Sequence, residues 1–195
     1  MTEALAVAAP WMSLTSLLNP TLEMAREAIS RAFASQSELL VVHVTGHGVV
    51  AQNTGSLLVP LADTNEDPTS LLNVGELLPQ AAQASSGSTV ILIVDTAFAG
   101  SAIPQVPQKL EHWFVLAASD ARGMAFDKPS LTAVLAQLFR GGVASCPYPM
   151  VTAADLAKEA REILLKVHGG RQHVTWSGVQ GASTLALAYN NWRDD

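Results

Sequence analysis

Residues Thr89 to Asp95 (TVILIVD) constrain this chain more than any other stretch. Five of the six residues from Val90 to Asp95 are apolar, most of them β-branched, and the small-residue turn TAFAG follows directly. A run that is apolar at both odd and even positions fits a strand covered on both faces, at the centre of a parallel sheet. Ligands of open α/β sheets bind beyond the carboxyl ends of the strands, so Asp95 to Gly100 is the first place to seek function. Ser37 to Gly48 (SELLVVHVTGHG) has the same form and ends in Gly-His-Gly. If the two runs are neighbouring parallel strands, the tip at His47 lies beside the tip at Asp95, Thr96 and Ala97.

With 195 residues, 49% of them hydrophobic, the chain is long enough for one domain with a substantial core, and a single domain over 1–195 is expected. The net charge of -6, with only 11 scattered basic residues, argues against a nucleic-acid partner. Cys146 is the single cysteine, which rules out an intrachain disulfide and a cysteine-rich metal site and suits the cytoplasm. The start MTEALAVAAP lacks a basic region before its apolar residues. No apolar run approaches the ~18 residues of a membrane span. A soluble, non-secreted protein without a membrane partner is therefore expected.

Along the chain, residues 1–18 are apolar but weakly periodic and interrupted by Pro10, so no element is assigned to them. Asn19-Pro20-Thr21 is a helix start, and Leu22, Ala25, Ile29, Ala32 and Phe33 predict an amphipathic helix over 20–34. Gly55 to Leu61 reads as a strand or hairpin arm, 63–68 as a polar loop, and Leu71 to Ala84 as a helix despite Gly75 and Pro79. Residues 85–88 form a loop before the central strand. Residues 101–112, with two prolines and no period, read as an exposed loop. A strand over 113–118 and an irregular stretch over 119–129 come next, then a helix over 131–139 that Gly141-Gly142 stops. Thr152 is an N-cap with Asp155 three residues on. The stripe Leu156, Ala160, Ile163, Leu164 and Val167 then runs to Gly169-Gly170, and 184–189 reads as the last strand. Strands alternating with helices predict an α/β fold with a largely parallel sheet.

The pair LLVVHVTGHG and, about 40 residues later, ILIVDTAFAG resembles the caspase-like cysteine peptidases of clan CD, in particular the metacaspase-like and bacterial caspase-family domains. Members of that family carry a strand ending in Ser/Thr-Gly-His-Gly and another ending in Asp-x-Cys-x-Ser/Ala-Gly. The stretches GSLLVPLADT and WFVLAASDARGMAF extend the resemblance over most of the chain. It implies a three-layer sandwich with a mostly parallel sheet between helices, and an endopeptidase without a cofactor that acts on a protein or peptide laid against the sheet edge. By the same resemblance His47 is the general base or acid and Gly48 offers a backbone N–H to the oxyanion. Asp95 lines a pocket for Arg or Lys before the cleaved bond, and Ser119 and Asp120 form another pocket wall.

Two features depart from the family. Position 97, where the nucleophile belongs, is alanine, and a methyl group cannot attack a carbonyl, so the chain as written has no covalent peptidase chemistry. Retention of His47, Gly48, Asp95 and Gly100 favours an engineered replacement of cysteine. The alternative is a natural pseudoprotease that binds peptide or a regulatory protein partner. The family's first strand is also not apparent before Asn19, which leaves the sheet edge open in this reading.

Plainer roles stand beside these. His43 and His47, four residues apart in a strand, are separated by roughly 13 Å, too far for one metal ion, so no metal is expected and His43 reads as structural. Asp95 has a structural alternative, a carboxylate bonded to the next turn. Cys146, in Cys-Pro-Tyr-Pro, reads as an ordinary thiol. The absence of GxGxxG and of a Walker lysine argues against nucleotide binding. A small-molecule-binding α/β domain would need a concave site unconnected to His47.

Overall fold

The computed structural model describes residues 1–84, 87–105 and 112–192. In chain order the helices and strands are α1 (Thr2–Ala8), α2 (Leu22–Ala34), β1 (Leu39–Thr45), β2 (Val49–Val50), β3 (Leu57–Val59), β4 (Leu72–Asn73), α3 (Leu77–Ala84) and β5 (Thr89–Asp95). There follow β6 (Trp113–Ala117), α4 (Leu131–Gly141), β7 (Met150–Thr152), α5 (Ala153–Val167), β8 (Thr175–Gly178), α6 (Gln180–Ser183) and β9 (Ala186–Tyr189).

The fold is mixed α/β, with a mostly parallel central sheet flanked by helices. The sheet has the order β1-β5-β6-β8, the first three strands parallel and β8 antiparallel to β6. Successive side chains of a strand point to opposite faces, and β5 uses both. Ile91 and Ile93 join Phe114, Leu116 and the apolar sides of α1, α4 and α5 in one core; Val90, Leu92 and Val94 join Val115, Ala117, α2 and α3 in the other. This double burial explains the unbroken apolar run, since each fully buried side chain of this size contributes roughly 1.5–3 kcal/mol. Strands β2, β3 and β4 form a small antiparallel sheet, and β7 pairs with β9.

Several elements differ from the sequence expectation. Residues 1–18 contain α1, whose Ala4, Leu5 and Ala8 are buried; small residues packed against α4 need no strong apolar period. The cap of α2 is Thr21, which accepts from the Met24 N–H at 3.3 Å, and not Asn19, which sits at φ 47° outside the helix. Asp63 supplies a second cap by accepting from the Leu22 N–H at 2.9 Å. The stretch 71–84 begins as β4 and a 3-10 turn, Val74–Glu76, because the Asn73 side chain accepts from the Gly75 N–H at 3.1 Å and turns the chain before α3. The start of the expected exposed loop is a 3-10 helix, Ala99–Gln105, with Ser101 and Ala102 buried. The rest of that loop, 106–111, and Ser85 and Ser86 lie outside the described residues. The last strand pairs with β7 outside the central sheet, whose fourth place is taken by β8, a short TWSG segment without an apolar run.

The helix signals are otherwise well matched. Ser130 caps α4, and Gly142 ends it at φ 81°. At α5 the Thr152 hydroxyl accepts from the Asp155 N–H at 3.2 Å while the Asp155 carboxylate accepts from the Thr152 N–H at 2.9 Å, a reciprocal cap. Thr152→Ala removes the hydroxyl half of that cap. It is expected to cost about 1 kcal/mol, read as a fall of roughly 2–4 °C in the thermal midpoint of a chain this size.

Candidate functional site

Parallel pairing of β1 with β5 runs in register from Leu39 opposite Thr89 to Thr45 opposite Asp95. The two tips therefore end level, and the Gly46 N–H continues the ladder by donating to the Asp95 carbonyl at 3.3 Å. Gly46, at φ 150°, then swings the chain into His47, whose side chain is exposed. Gly48 is buried so closely against the turn after β5 that a side-chain carbon there would collide with the carbonyl oxygen of Ala97 and the Thr96 hydroxyl. The structure thus brings together His47, Gly48, Asp95 and Ala97, as the sequence predicts for neighbouring parallel strands.

The turn that carries Ala97 is held from several sides. The Thr96 hydroxyl donates to the Ala97 carbonyl at 2.9 Å, and the Phe98 N–H donates to the Gly123 carbonyl at 2.9 Å. Phe98 sits at φ 58°, a left-handed conformation that costs energy for a bulky residue and that persists where the surroundings enforce it. The hydroxyl of Ser119 accepts from the Ala99 N–H at 3.0 Å and donates to the Thr96 carbonyl at 3.3 Å, and its residue is 0% exposed. Ser119 is thus internal to the scaffold and clamps the turn from behind. Gly100 makes the next close approach, to the backbone of Asp120 and Ala121. Asp120 is partly exposed, and its Oδ1 accepts from the Arg122 N–H at 2.9 Å.

Asp95 is 6% exposed, and its Oδ2 accepts from the Thr132 N–H at 2.7 Å, in the first turn of α4. A carboxylate there meets both an unpaired amide and the positive end of the helix dipole. The Thr132 hydroxyl in turn bonds His43 Nε2 at 2.9 Å. His43 and Asp95 belong together because both lie on the face of Leu39, Val41, Ile91 and Ile93, towards α4, two register steps apart on adjacent strands. Sequence reasoning did not find Thr132 or this connection; the period-2 parity of the paired strands was the available signal. Burial lowers the His43 pKa below its ordinary 6.5, with the Asp95 charge pulling in the opposite direction.

Cys146 and His168 lie apart from these tips. Cys146 is buried near the β7 region, with its thiol 3.5 Å from the Met150 carbonyl. His168 is buried at the end of α5 and bonds the Pro129 carbonyl at 2.9 Å. Among the described residues no group of three or more His, Cys, Asp or Glu side chains is placed to hold a metal, and no helix is long and apolar enough to cross a membrane.

No family model matches the chain, and no curated protein matches it. A solved structure, protein GSU0716 from Geobacter sulfurreducens, superposes with a TM-score of 0.61 at 12% identity, covering 89% of this chain and 81% of that one. The likeness shows a shared fold alone.

The lowered pKa of His43 sets a sign for the pH dependence of stability. The unfolded chain binds a proton at His43 more readily than the folded chain does, so this contribution is intact above about pH 6.5 and is lost as pH falls from there towards the lower folded-state value. Urea midpoints measured between about pH 7.5 and 5.5 should therefore decline in the parent and decline less in His43→Gln. Equal slopes in the two proteins would remove His43 as the cause.

Proposed function

We propose that the chain is a caspase-like domain of clan CD that receives a protein or peptide at the joined tips of β1 and β5, and that it acts as a cysteine endopeptidase when position 97 carries cysteine. The observation that supports this reading most is the close approach of Gly48 to the Ala97 carbonyl, which sets the Gly-His-Gly tip against the residue that the nucleophile would occupy. Two motifs about 40 residues apart in sequence thus lie side by side at the strand ends.

With cysteine at position 97, His47 would take the thiol proton while the thiolate attacks the peptide carbonyl carbon. The oxyanion would be met by the N–H groups of Gly48 and residue 97. Collapse expels the amine, which takes the proton from His47 and leaves a thioester. Water then attacks the thioester, with His47 as base, and frees the acid and the thiol. Asp95 bears on the choice of substrate: Oδ2 is committed to Thr132, but Oδ1 has no hydrogen-bond partner among the described residues and is left to meet an Arg or Lys side chain. The single unpaired cysteine of the chain accords with a cytoplasmic setting.

A second reading, a natural pseudoprotease that binds peptide or a regulatory partner, is favoured by a different observation. The His47 side chain has no hydrogen-bonded orienting group among the described residues, and position 97 bears only a methyl. The codon at position 97 of the encoding gene separates the two.

Ala97→Cys should cleave fluorogenic peptides with Arg or Lys before the scissile bond in preference to Asp or Leu, and His47→Ala in that background should lower kcat/KM by about a hundredfold or more. Folded Ala97→Cys protein that cleaves none of these peptides would shift the assignment to the binding module.

A further inference from the structure

Beyond Ser119 the same end of the sheet opens into a cavity of about 510 Å³, lined by Asp120, Arg161, His173, Val174, Thr175 and Trp176. Its floor is rigid. Thr175 stands opposite Ala117 in the β6–β8 pairing, and its hydroxyl donates to the Ser119 carbonyl at 3.2 Å. Because the Ser119 hydroxyl bonds the Thr96 carbonyl, the buried Ser119 links Thr175 of the cavity to the turn at Ala97.

The polar groups of the cavity are not spent on one another. The Arg161 guanidinium lies 5.6 Å from the centroid of the Trp176 ring, and no carboxylate pairs with it among the described residues. A cation–π contact with the indole restrains the guanidinium, and a restrained guanidinium suits bidentate binding of a carboxylate. Asp120 keeps Oδ1 on the Arg122 N–H and has Oδ2 left as an acceptor. A cationic ligand would have to approach Arg161; an acidic one meets it directly, and the N–H of a peptide backbone satisfies Asp120.

We infer that this cavity is a second subsite of the peptide cleft, selective for an acidic side chain whose carboxylate takes the Arg161 fork while its stem lies on Trp176. The inference rests on the peptide-binding reading given above. It makes the preferred partner a peptide of mixed charge, with a basic residue for Asp95 and an acidic residue for Arg161.

The Ala97 chain allows a binding test without cleavage. Fluorescein-labelled heptapeptides with a fixed central Arg, and with Glu, Gln, Lys or Ala substituted in turn at each other position, are titrated by fluorescence anisotropy. At one position Glu should bind about tenfold tighter than Gln. Arg161→Gln, a change on an exposed side chain, should abolish that difference, and Arg161→Glu should turn the preference towards Lys. Peptides that bind with Glu and Gln within twofold at every position would overturn the subsite while leaving the peptide-binding reading intact. No binding by any peptide would overturn both. Free glutamate binding as tightly as the Glu peptide would overturn the subsite in favour of a small-molecule site.

Discussion

Most of the site depends on the level pairing of β1 with β5, which ends with Thr45 opposite Asp95. A slip of one residue would reverse every side chain of β1, taking His43 away from Thr132 and placing Leu40, Val42 and Val44 on the wrong core. The hydrophobic pattern on both faces therefore fixes where the polar tips fall. Two glycines convert that register into contact: Gly48 lets the first tip reach the turn at Ala97, and Gly100 lets that turn reach the backbone of Asp120 and Ala121. Three consecutive strand ends are locked together by backbone, with no long side chain needed between them.

Asp95 shows how the scaffold accommodates a buried carboxylate at such a place. One oxygen receives an amide of the first turn of α4, a charge-assisted bond at the positive end of a helix. The same threonine reaches His43, so strand, helix and neighbouring strand are joined by a short polar chain inside an otherwise apolar face. Leaving either end of such a chain unpaired costs more than the bond itself contributes, which ties the position of α4 to the tips. The structural bond of Asp95 uses Oδ2 alone, so it does not exclude the substrate contact proposed above for Oδ1.

Legibility followed the physics of each segment. The central strand was readable because double burial demands an unbroken apolar run, and α5 because Thr152 and Asp155 cap it locally. The neighbour relation of His47 and position 97 came from two strands with the same signature and parallel order. The sequence was silent where tertiary contact decides: α1 is held by packing on α4, β8 by an edge place beside β6, and the cap of α2 partly by Asp63, 41 residues away from Leu22. Thr132 was invisible for the same reason, since nothing in LTAVLAQLF announces that its first turn faces a carboxylate. Ser119 was expected at a pocket wall and proves to be internal because its hydroxyl serves two groups of the turn at once.

The turn at position 97 does not depend on the side chain it carries. Its hydrogen bonds involve the Thr96 and Ala97 carbonyls and the N–H groups of Phe98 and Ala99, and its partners are Thr96, Ser119 and Gly123. None of these uses the β-substituent of residue 97, which is only partly buried. A sulfur in place of one methyl hydrogen would add little volume and displace no bond, so alanine and cysteine forms should share one scaffold. The peptidase and pseudoprotease readings thus differ in the chemistry of a single atom, while the polar cavity beyond Ser119 belongs equally to both.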